Sequence, residues 1–151
     1  MRGLVDTNIL LRIAEPSHAM HRLTLDALDV LHARGAVLHV VPQVLYEFWS
    51  VATRPPGAYG GLGLPTARVV AELARTRSIF ALLPDTPDVL PAWEALVVAH
   101  DVKGKASHDA RIAAAMRVHG VSHLLTFNGG DFARFPHVTV LAPADVVRGA
   151  T

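Results

Sequence analysis

Gly-Leu-Val-Asp-Thr-Asn, residues 3–8, is the stretch that decides the fold. Its first three residues predict a short buried strand, and Asp6 follows directly at the carboxyl end of that strand. Ionised side chains are rare next to core segments unless they are paired or bind a metal. Thr7 or Asn8 can then cap a helix that extends over Ile9–Ala14. The chain therefore starts with a strand and a helix that are separated by an acidic residue.

Strand and helix patterns alternate over the rest of the chain. Short β-branched or apolar runs predict four further strands at residues 37–41, 79–83, 122–126 and 137–141. Apolar residues at helical spacing predict further helices at residues 17–34, 42–53, 66–77, 86–99 and 107–119. Residues 54–65 form a Gly- and Pro-rich loop that is longer than most connections. The alternation is typical of an α/β domain with a mainly parallel sheet.

The composition limits the class of protein. A chain of 151 residues is long enough to bury its own core, so we expect residues 1–151 to form a single domain. Hydrophobic residues make up 51% and charged residues 18%, which excludes a disordered chain. The net charge of +1 does not by itself indicate a nucleic-acid binder. The absence of cysteine excludes disulfides and fits a cytoplasmic protein, and no signal peptide or membrane-spanning segment is readable.

Four acidic residues lie next to strongly apolar sequence, namely Asp6, Glu47, Asp109 and Asp131. Asp6 and Asp131 each follow a predicted strand, and parallel α/β sheets bind ligands outside the carboxyl ends of their strands. Glu47 lies in the helix after the second strand, and Asp109 lies in the first turn of an Ala-rich helix. Clustered carboxylates repel one another, and a divalent cation is the simplest group that would hold them together. We therefore expect a metal site at this edge of the sheet.

Each acid also has a purely structural interpretation. Asp109 would complement the dipole of its helix, with Ser107 as the cap. Glu47 alone would be a partly exposed helix residue, and Asp131 alone a turn residue or cap. Asp6 could cap the first helix. The combination of all four acids favours a site.

The same residues resemble the PIN-domain nucleases, and within them the VapC-type toxins of toxin–antitoxin pairs. The matching features are Asp-Thr-Asn at residues 6–8, the helical Glu47, Asp109 at the start of an Ala-rich helix, and Thr-Phe-Asn-Gly-Gly-Asp-Phe at residues 126–132. The resemblance covers nearly the whole chain and implies a three-layer α/β/α sandwich with a central, mainly parallel sheet. It also implies an endoribonuclease that uses Mg²⁺ or Mn²⁺ to hydrolyse RNA phosphodiester bonds, as the toxin of a type II toxin–antitoxin system. A homodimer and a cognate antitoxin are the implied protein partners.

The resemblance implies that the four acids are catalytic. Asp6, Asp109 and Asp131 are the expected metal ligands, and Mg²⁺ binds one or two carboxylates directly while it keeps several waters. We expect Asp6 and Asp109 to bind directly, with Asp131 as a second or shared ligand. Glu47 would then orient or deprotonate the attacking water.

Polar and basic residues near the acids are expected to support them. The residues that would hold the carboxylates or the metal waters are Thr7, Asn8, Thr126 and Asn128, and these side chains could equally serve as caps and turn formers. The residues that would guide an RNA backbone are Lys103, Lys105, Arg111 and Arg12. For Arg12 and Arg111 an ordinary solvated surface is the alternative.

Two other functions fit parts of the pattern. An α/β phosphatase could use Asp6 as its nucleophile, but the haloacid-dehalogenase-like enzymes need a second Asp where this chain has Asn8. A catalytically silent PIN-like scaffold that binds RNA or protein would not need four intact acids. The large apolar residues either pack in the core or line a dimer or antitoxin interface, and they are Tyr46, Phe48, Trp49 and Trp93.

Overall fold

The computed structural model describes residues 1–57 and 59–150, and within them five strands form one parallel sheet that is flanked by helices. The strands are β1 (Arg2–Val5), β2 (Val37–Val40), β3 (Ala81–Leu82), β4 (His123–Leu125) and β5 (Thr139–Leu141). The helices are α1 (Thr7–Ala14), α2 (His21–Ala33), α3 (Pro42–Thr53), α4 (Thr66–Ile79), α5 (Val89–Ala99), α6 (Ala106–His119) and α7 (Pro143–Arg148). A short 3-10 helix spans Gly129–Phe132. The predicted α/β fold is confirmed.

The order of the strands explains where a site can form. The sheet runs β3-β2-β1-β4-β5, and β1 pairs in parallel with β2 on one side and with β4 on the other. The chain therefore builds the sheet outward from β1 to β3 and then returns to the opposite side of β1. Open α/β sheets bind ligands at such a reversal, outside the carboxyl ends of the strands. Here those ends are the residues that follow β1 and β4.

The core is centred on these two strands. Leu4 and Val5 of β1 and Leu124 and Leu125 of β4 are fully buried, as expected for a parallel sheet that is covered on both faces. The Ala-rich helix α6 is buried all round in its middle, from Ile112 to Met116, and packs against α5. On the other helices, α1 packs against α2 and α3, and α2 packs against α7. No helix in the described part of the chain is long and apolar enough to cross a membrane.

Several predicted boundaries are wrong. Helix α2 begins at His21 rather than Ser17, because the preceding residues form turns, with the His18 N–H donating to the Glu15 carbonyl. Helix α4 extends to Ile79, so the strand predicted at residues 79–83 is reduced to the two residues of β3. Helix α5 begins at Val89 rather than Thr86. In these places the packing and backbone hydrogen bonds override the local propensity.

Two elements at the end of the chain were not predicted. One is the 3-10 helix after β4, and the other is α7. The signals for α7 are present, because Pro143 occupies its first turn and Gly149 ends it in the left-handed conformation. The helix is only six residues long, which is too short for a clear apolar period.

The predicted Gly- and Pro-rich loop lies between α3 and α4, apart from Ala58, which is outside the described residues. The loop folds back onto the end of α3, where Leu62 and Leu64 donate their N–H groups to the carbonyls of Val51 and Ala52 over 3.1 and 2.9 Å. Gly63 has a φ of +61°, and a Cβ there would lie 2.5 Å from the ring of Pro56. Glycine is therefore required at this position.

Candidate active site

Asp6 lies between the end of β1 and the start of α1 and is held on both carboxylate oxygens. The Thr7 N–H donates to Oδ1 over 2.7 Å. The Thr126 hydroxyl and the Asn8 amide donate to Oδ2 over 2.7 and 3.2 Å. Asp6 is itself the cap of α1, so the cap predicted at Thr7 or Asn8 is wrong. One side chain thus starts the helix and enters the site.

The environment of Asp6 favours an added positive charge. Burial raises the pKa of Asp6, against the hydrogen bonds from Thr126 and Thr7, and the charges of Glu47 and Asp131 raise it further. A carboxylate offers about four lone pairs. Three are used by the hydrogen bonds described above, which leaves one on Oδ1. Asp6 can therefore offer one oxygen to a cation without losing a protein partner.

Glu47 lies on α3 and is also held on both oxygens. The Thr7 hydroxyl donates to Oε2 over 2.7 Å, and Nε2 of Gln43 donates to Oε1 over 2.8 Å. The same Gln43 nitrogen donates to the His108 carbonyl over 2.8 Å, so one amide links α3 with the first turn of α6. These bonds fix the carboxylate of Glu47 relative to α1 and α6.

Gln43 was not identified from the sequence. It is only 5% exposed, and its Oε1 is buried without a hydrogen-bond partner in the described part of the chain. The one available signal was its spacing, since residues four apart on a helix are neighbours and Gln43 stands four residues before Glu47. A glutamine in an amphipathic helix is usually exposed, so the spacing alone did not indicate a role.

Asp109 lies half-buried in the first turn of α6. Its pKa is raised to about 6, and burial is the largest cause. The other causes that raise the pKa are the charges of the three remaining acids, Asp131, Asp6 and Glu47, while His108 lowers it. The four predicted acids therefore form one electrostatic cluster.

Ser107 does not cap α6, contrary to the prediction. The helix begins at Ala106 with Lys105 at the cap position, and no side chain makes a capping hydrogen bond there. The Ser107 carbonyl instead accepts a hydrogen bond from Nε1 of Trp93 over 2.8 Å. This bond ties the start of α6 to α5.

Asp131 is exposed on the 3-10 helix and lines an open cavity of about 400 Å³ together with Asp109. The other residues that line this cavity are Lys105, Ala106 and His108. The cavity therefore combines two carboxylates with an amino group and an imidazole, and of these groups Lys105, His108 and Asp109 lie at the start of α6. Its size lies within the range of ligand sites, about 300–1,000 Å³.

The four predicted supporting residues form one network with Asp6 and Glu47. Besides its bond to Asp6, the Thr126 hydroxyl accepts from the Asn8 amide over 3.1 Å and from the Asn128 N–H over 3.0 Å. The Asn8 carbonyl oxygen accepts from the Phe127 N–H over 3.1 Å. Asn128 therefore joins the network through its backbone N–H, although the residue as a whole is exposed.

Of the four basic residues that we expected to contact RNA, the structure brings Lys105 to the acids. Lys103 pairs with Asp101 over 3.1 Å. Arg12 pairs with Glu15 over 3.3 Å, and Arg111 pairs with Asp85 over 3.1 Å.

The donor set suits a hard divalent cation. In the described residues, no three His, Asp or Glu side chains are drawn together tightly enough to hold one ion between them. Mg²⁺ needs only one or two carboxylates directly and keeps several waters. Asp109 and Asp131 contribute carboxylate oxygens to the cavity, and hydrogen bonds already hold the carboxylate of Asp6, whose charge acts on Asp109. Carboxylate oxygens are the ligand type that Mg²⁺ and Mn²⁺ prefer.

Comparisons with known proteins agree with this description. The PIN domain family model matches residues 3–138. VapC20 of Mycobacterium tuberculosis, a toxin that cleaves the sarcin-ricin loop, is 26% identical, with 88% of this chain and 95% of that chain covered and a TM-score of 0.62. VapBC2 of Rickettsia felis, solved with a promoter DNA fragment, is 16% identical, with coverages of 93% and 98% and a TM-score of 0.70. A toxin–antitoxin complex of Klebsiella pneumoniae is 24% identical, with coverages of 93% and 97% and a TM-score of 0.59. No curated protein sequence matches the chain.

Proposed function

The chain belongs to the PIN domain family, and from this premise we propose that it is a metal-dependent endoribonuclease that acts as the toxin of a toxin–antitoxin pair. The observation that carries the proposal is the electrostatic cluster of Asp6, Glu47, Asp109 and Asp131 next to the ends of β1 and β4. The likeness to VapC toxins supports the nuclease over a scaffold without activity. A scaffold would have no use for the charges of Glu47 and Asp131, which raise the pKa of both Asp6 and Asp109.

Mg²⁺ or Mn²⁺ is the proposed cofactor, held by Asp6 and Asp109 with Asp131 as a second or shared ligand. When bound, such an ion would polarise the scissile phosphate and lower the pKa of an attacking water. The free lone pair on Oδ1 of Asp6 and the raised pKa of Asp109 support these two residues as the direct ligands. Each gains more from a nearby positive charge than an exposed carboxylate would.

Glu47 is proposed to orient the attacking water and to accept its proton. A general base must be positioned before it is useful, and the bonds from Thr7 and Gln43 hold both oxygens of this carboxylate. Thr7 links the base to Asp6, because its N–H donates to Asp6 and its hydroxyl donates to Glu47. The base and the first metal ligand are therefore held at a fixed separation.

Lys105 and His108 are proposed to receive the RNA backbone. Both line the cavity that contains Asp109 and Asp131. The formal charge of the chain is only +1, so attraction to RNA depends on local groups rather than on the overall charge.

An antitoxin and a second copy of the chain are the proposed protein partners. The Rickettsia and Klebsiella structures are toxin–antitoxin complexes, which supports an antitoxin partner.

The surface of the protein carries exposed apolar side chains. Tyr46 is 65% exposed and lines an apolar groove of about 590 Å³ between α3 and α4 together with Trp49, whereas Phe48 lies in the core. On α5, Leu90 and Val98 are 61% and 82% exposed. Apolar groups of this size at the surface favour protein contacts.

The test is cleavage of total cellular RNA by the purified protein with Mg²⁺, with Mn²⁺ and with a chelator. We expect discrete cuts that require a divalent ion. RNA that stays intact with either metal, from protein that is folded by circular dichroism, would overturn the nuclease and favour the scaffold.

A further inference from the structure

A second cavity, of about 510 Å³, lies between α5 and α6 beside the acidic cavity. His108 lines both cavities, so they adjoin at the first turn of α6. Asp109 lines the acidic cavity with Asp131, while its neighbours Ser107, His108 and Arg111 line the second cavity. A ligand that reaches Asp109 therefore has the second cavity directly beside it.

The lining of this second cavity includes an aromatic ring that is held by a hydrogen bond. Trp93 is half-buried, and its Nε1 donates to the Ser107 carbonyl over 2.8 Å. The ring therefore has its polar edge satisfied, and its remaining exposed surface is apolar. Val89 and Leu90 add apolar surface on the same helix. A ring held in this way loses little freedom when a flat ligand stacks on it.

The lining of the cavity also includes an ion pair. Arg111 pairs with Asp85 over 3.1 Å, and both side chains are partly exposed and line the cavity. This pair presents guanidinium donors and carboxylate acceptors together. The edges of nucleobases carry donors and acceptors of both kinds, and single-stranded RNA is read by stacking plus hydrogen bonds to base edges.

We propose that this second cavity binds one unpaired nucleobase of the RNA, from the nucleotide next to the scissile phosphate. The base stacks on Trp93, and Arg111 and Asp85 contact its edge. The cavity volume lies within the range of about 300–1,000 Å³ for small ligands, and its combination of ring and charges suits a base better than a purely apolar side chain. The inference rests on the proposed nuclease function and adds a specificity site to it.

Fluorescence tests the inference without cleavage. The chain has two tryptophans, so Trp49→Phe leaves Trp93 as the single source of tryptophan fluorescence. The probes are the four homotrinucleotides of RNA, titrated in chelator to prevent metal-dependent cutting. We expect the emission of Trp93 to be quenched by one or two of the four, in a saturable manner. The matched control is Trp93→Phe, which retains only Trp49 and should show no saturable quenching.

Cleavage mapping gives the second readout. Trp93→Ala should weaken trinucleotide binding about tenfold or more and relax the base preference at one position beside the cut. Trp93→Phe retains a ring and should keep most of the preference. Circular dichroism checks the fold of each variant, since both lose the hydrogen bond to Ser107.

Three results would overturn the base site. The first is no quenching of Trp93 by any trinucleotide. The second is equal quenching in the two single-tryptophan variants. The third is a change of Trp93 emission with protein concentration alone, which would assign the cavity to a contact between copies of the chain. Failure of the nuclease itself is distinguishable, because it would abolish cleavage while the quenching of Trp93 remained.

Discussion

Thr126 donates its hydroxyl proton to Oδ2 of Asp6 over 2.7 Å, and this bond joins the carboxyl ends of β4 and β1 across 120 positions of sequence. The backbone continues the same pairing, because the Asp6 N–H donates to the Leu125 carbonyl over 3.0 Å. Thr126 is fully buried, and Asp6 is 7% exposed. The site is therefore built on the register between the two central strands.

Thr126→Val should destabilise the protein and the site together. Valine keeps the shape of the side chain but leaves Asp6, Asn8 and the Asn128 N–H without their shared partner. We expect the free energy of unfolding to fall by about 1–3 kcal/mol in urea denaturation. Thr139→Val on the exposed edge of β5 is the control and should change little. Equal effects of the two substitutions would contradict the role of this hydroxyl.

The pKa of Asp109 gives a pH dependence of stability. In the folded protein Asp109 binds its proton up to about pH 6, whereas the ordinary pKa of an aspartate, as in an unfolded chain, is 3.8. Between these values the folded state binds more protons, so the free energy of unfolding contributed by Asp109 falls as the pH rises. Asp131, Asp6, Glu47 and His108 are the titratable groups that act on it.

Asp109→Asn removes this contribution. In chelator, we expect the variant to gain stability relative to the wild type as the pH is raised from about 4 to about 7, measured by urea denaturation at each pH. Added Mg²⁺ or Mn²⁺ should stabilise the wild type more than the variant, because the ion binds the folded state. A stability difference between variant and wild type that stays constant with pH would mean that folding does not raise the pKa of Asp109.

Lys105 and Lys103 form a matched pair for RNA binding. Lys105 lines the acidic cavity, whereas Lys103 is exposed and pairs with Asp101. In an Asp109→Asn background that prevents cleavage, Lys105→Glu should weaken RNA binding and reduce the slope of log affinity against log salt by about 1. Lys103→Glu should have a smaller effect on both the RNA affinity and the salt slope. The reverse order would move the RNA path away from this cavity.

Gln43→Leu tests the residue that the sequence did not indicate. The substitution leaves Glu47 with one fewer donor and the His108 carbonyl without its partner. We expect a fall of about tenfold or more in the cleavage rate at saturating RNA, with a smaller change in KM, because a base is misplaced rather than a binding group lost. Ser50→Ala, on the exposed side of the same helix, is the control. A change in KM alone would assign Gln43 to substrate binding.

The sequence predicted the elements that build the site and missed the contacts that connect them. Asp6 was identifiable because an acid after a buried Leu-Val is unusual, and the alternation of strands and helices predicted the parallel sheet. Gln43 gave no signal, because its burial and its hydrogen bond to the His108 carbonyl arise only in the folded protein, between residues 65 positions apart. Arg111 pairs with Asp85, a residue 26 positions earlier, instead of lining the cavity of Asp109 and Asp131. This pairing depends on how the loop before α5 folds, which the sequence did not indicate.

The local rules also failed where one residue could serve two roles. Thr7 and Ser107 were both predicted as possible helix caps. Thr7 instead donates hydrogen bonds to Asp6 and Glu47, and the Ser107 carbonyl accepts one from Trp93. A cap is chosen by the backbone conformation at the helix start, which the sequence alone leaves open.

The most direct test of the central claim is single-turnover cleavage of cellular RNA in Mn²⁺ by the wild type, by Asp109→Asn and by Asp101→Asn. Asp101 is an exposed acid in a left-handed conformation that asparagine also accepts, so it controls for charge alone. We expect the wild type and Asp101→Asn to cut at the same positions at similar rates, and Asp109→Asn to lose detectable cleavage while remaining folded. Cleavage by Asp109→Asn at the wild-type rate would contradict the acidic cluster as the catalytic centre.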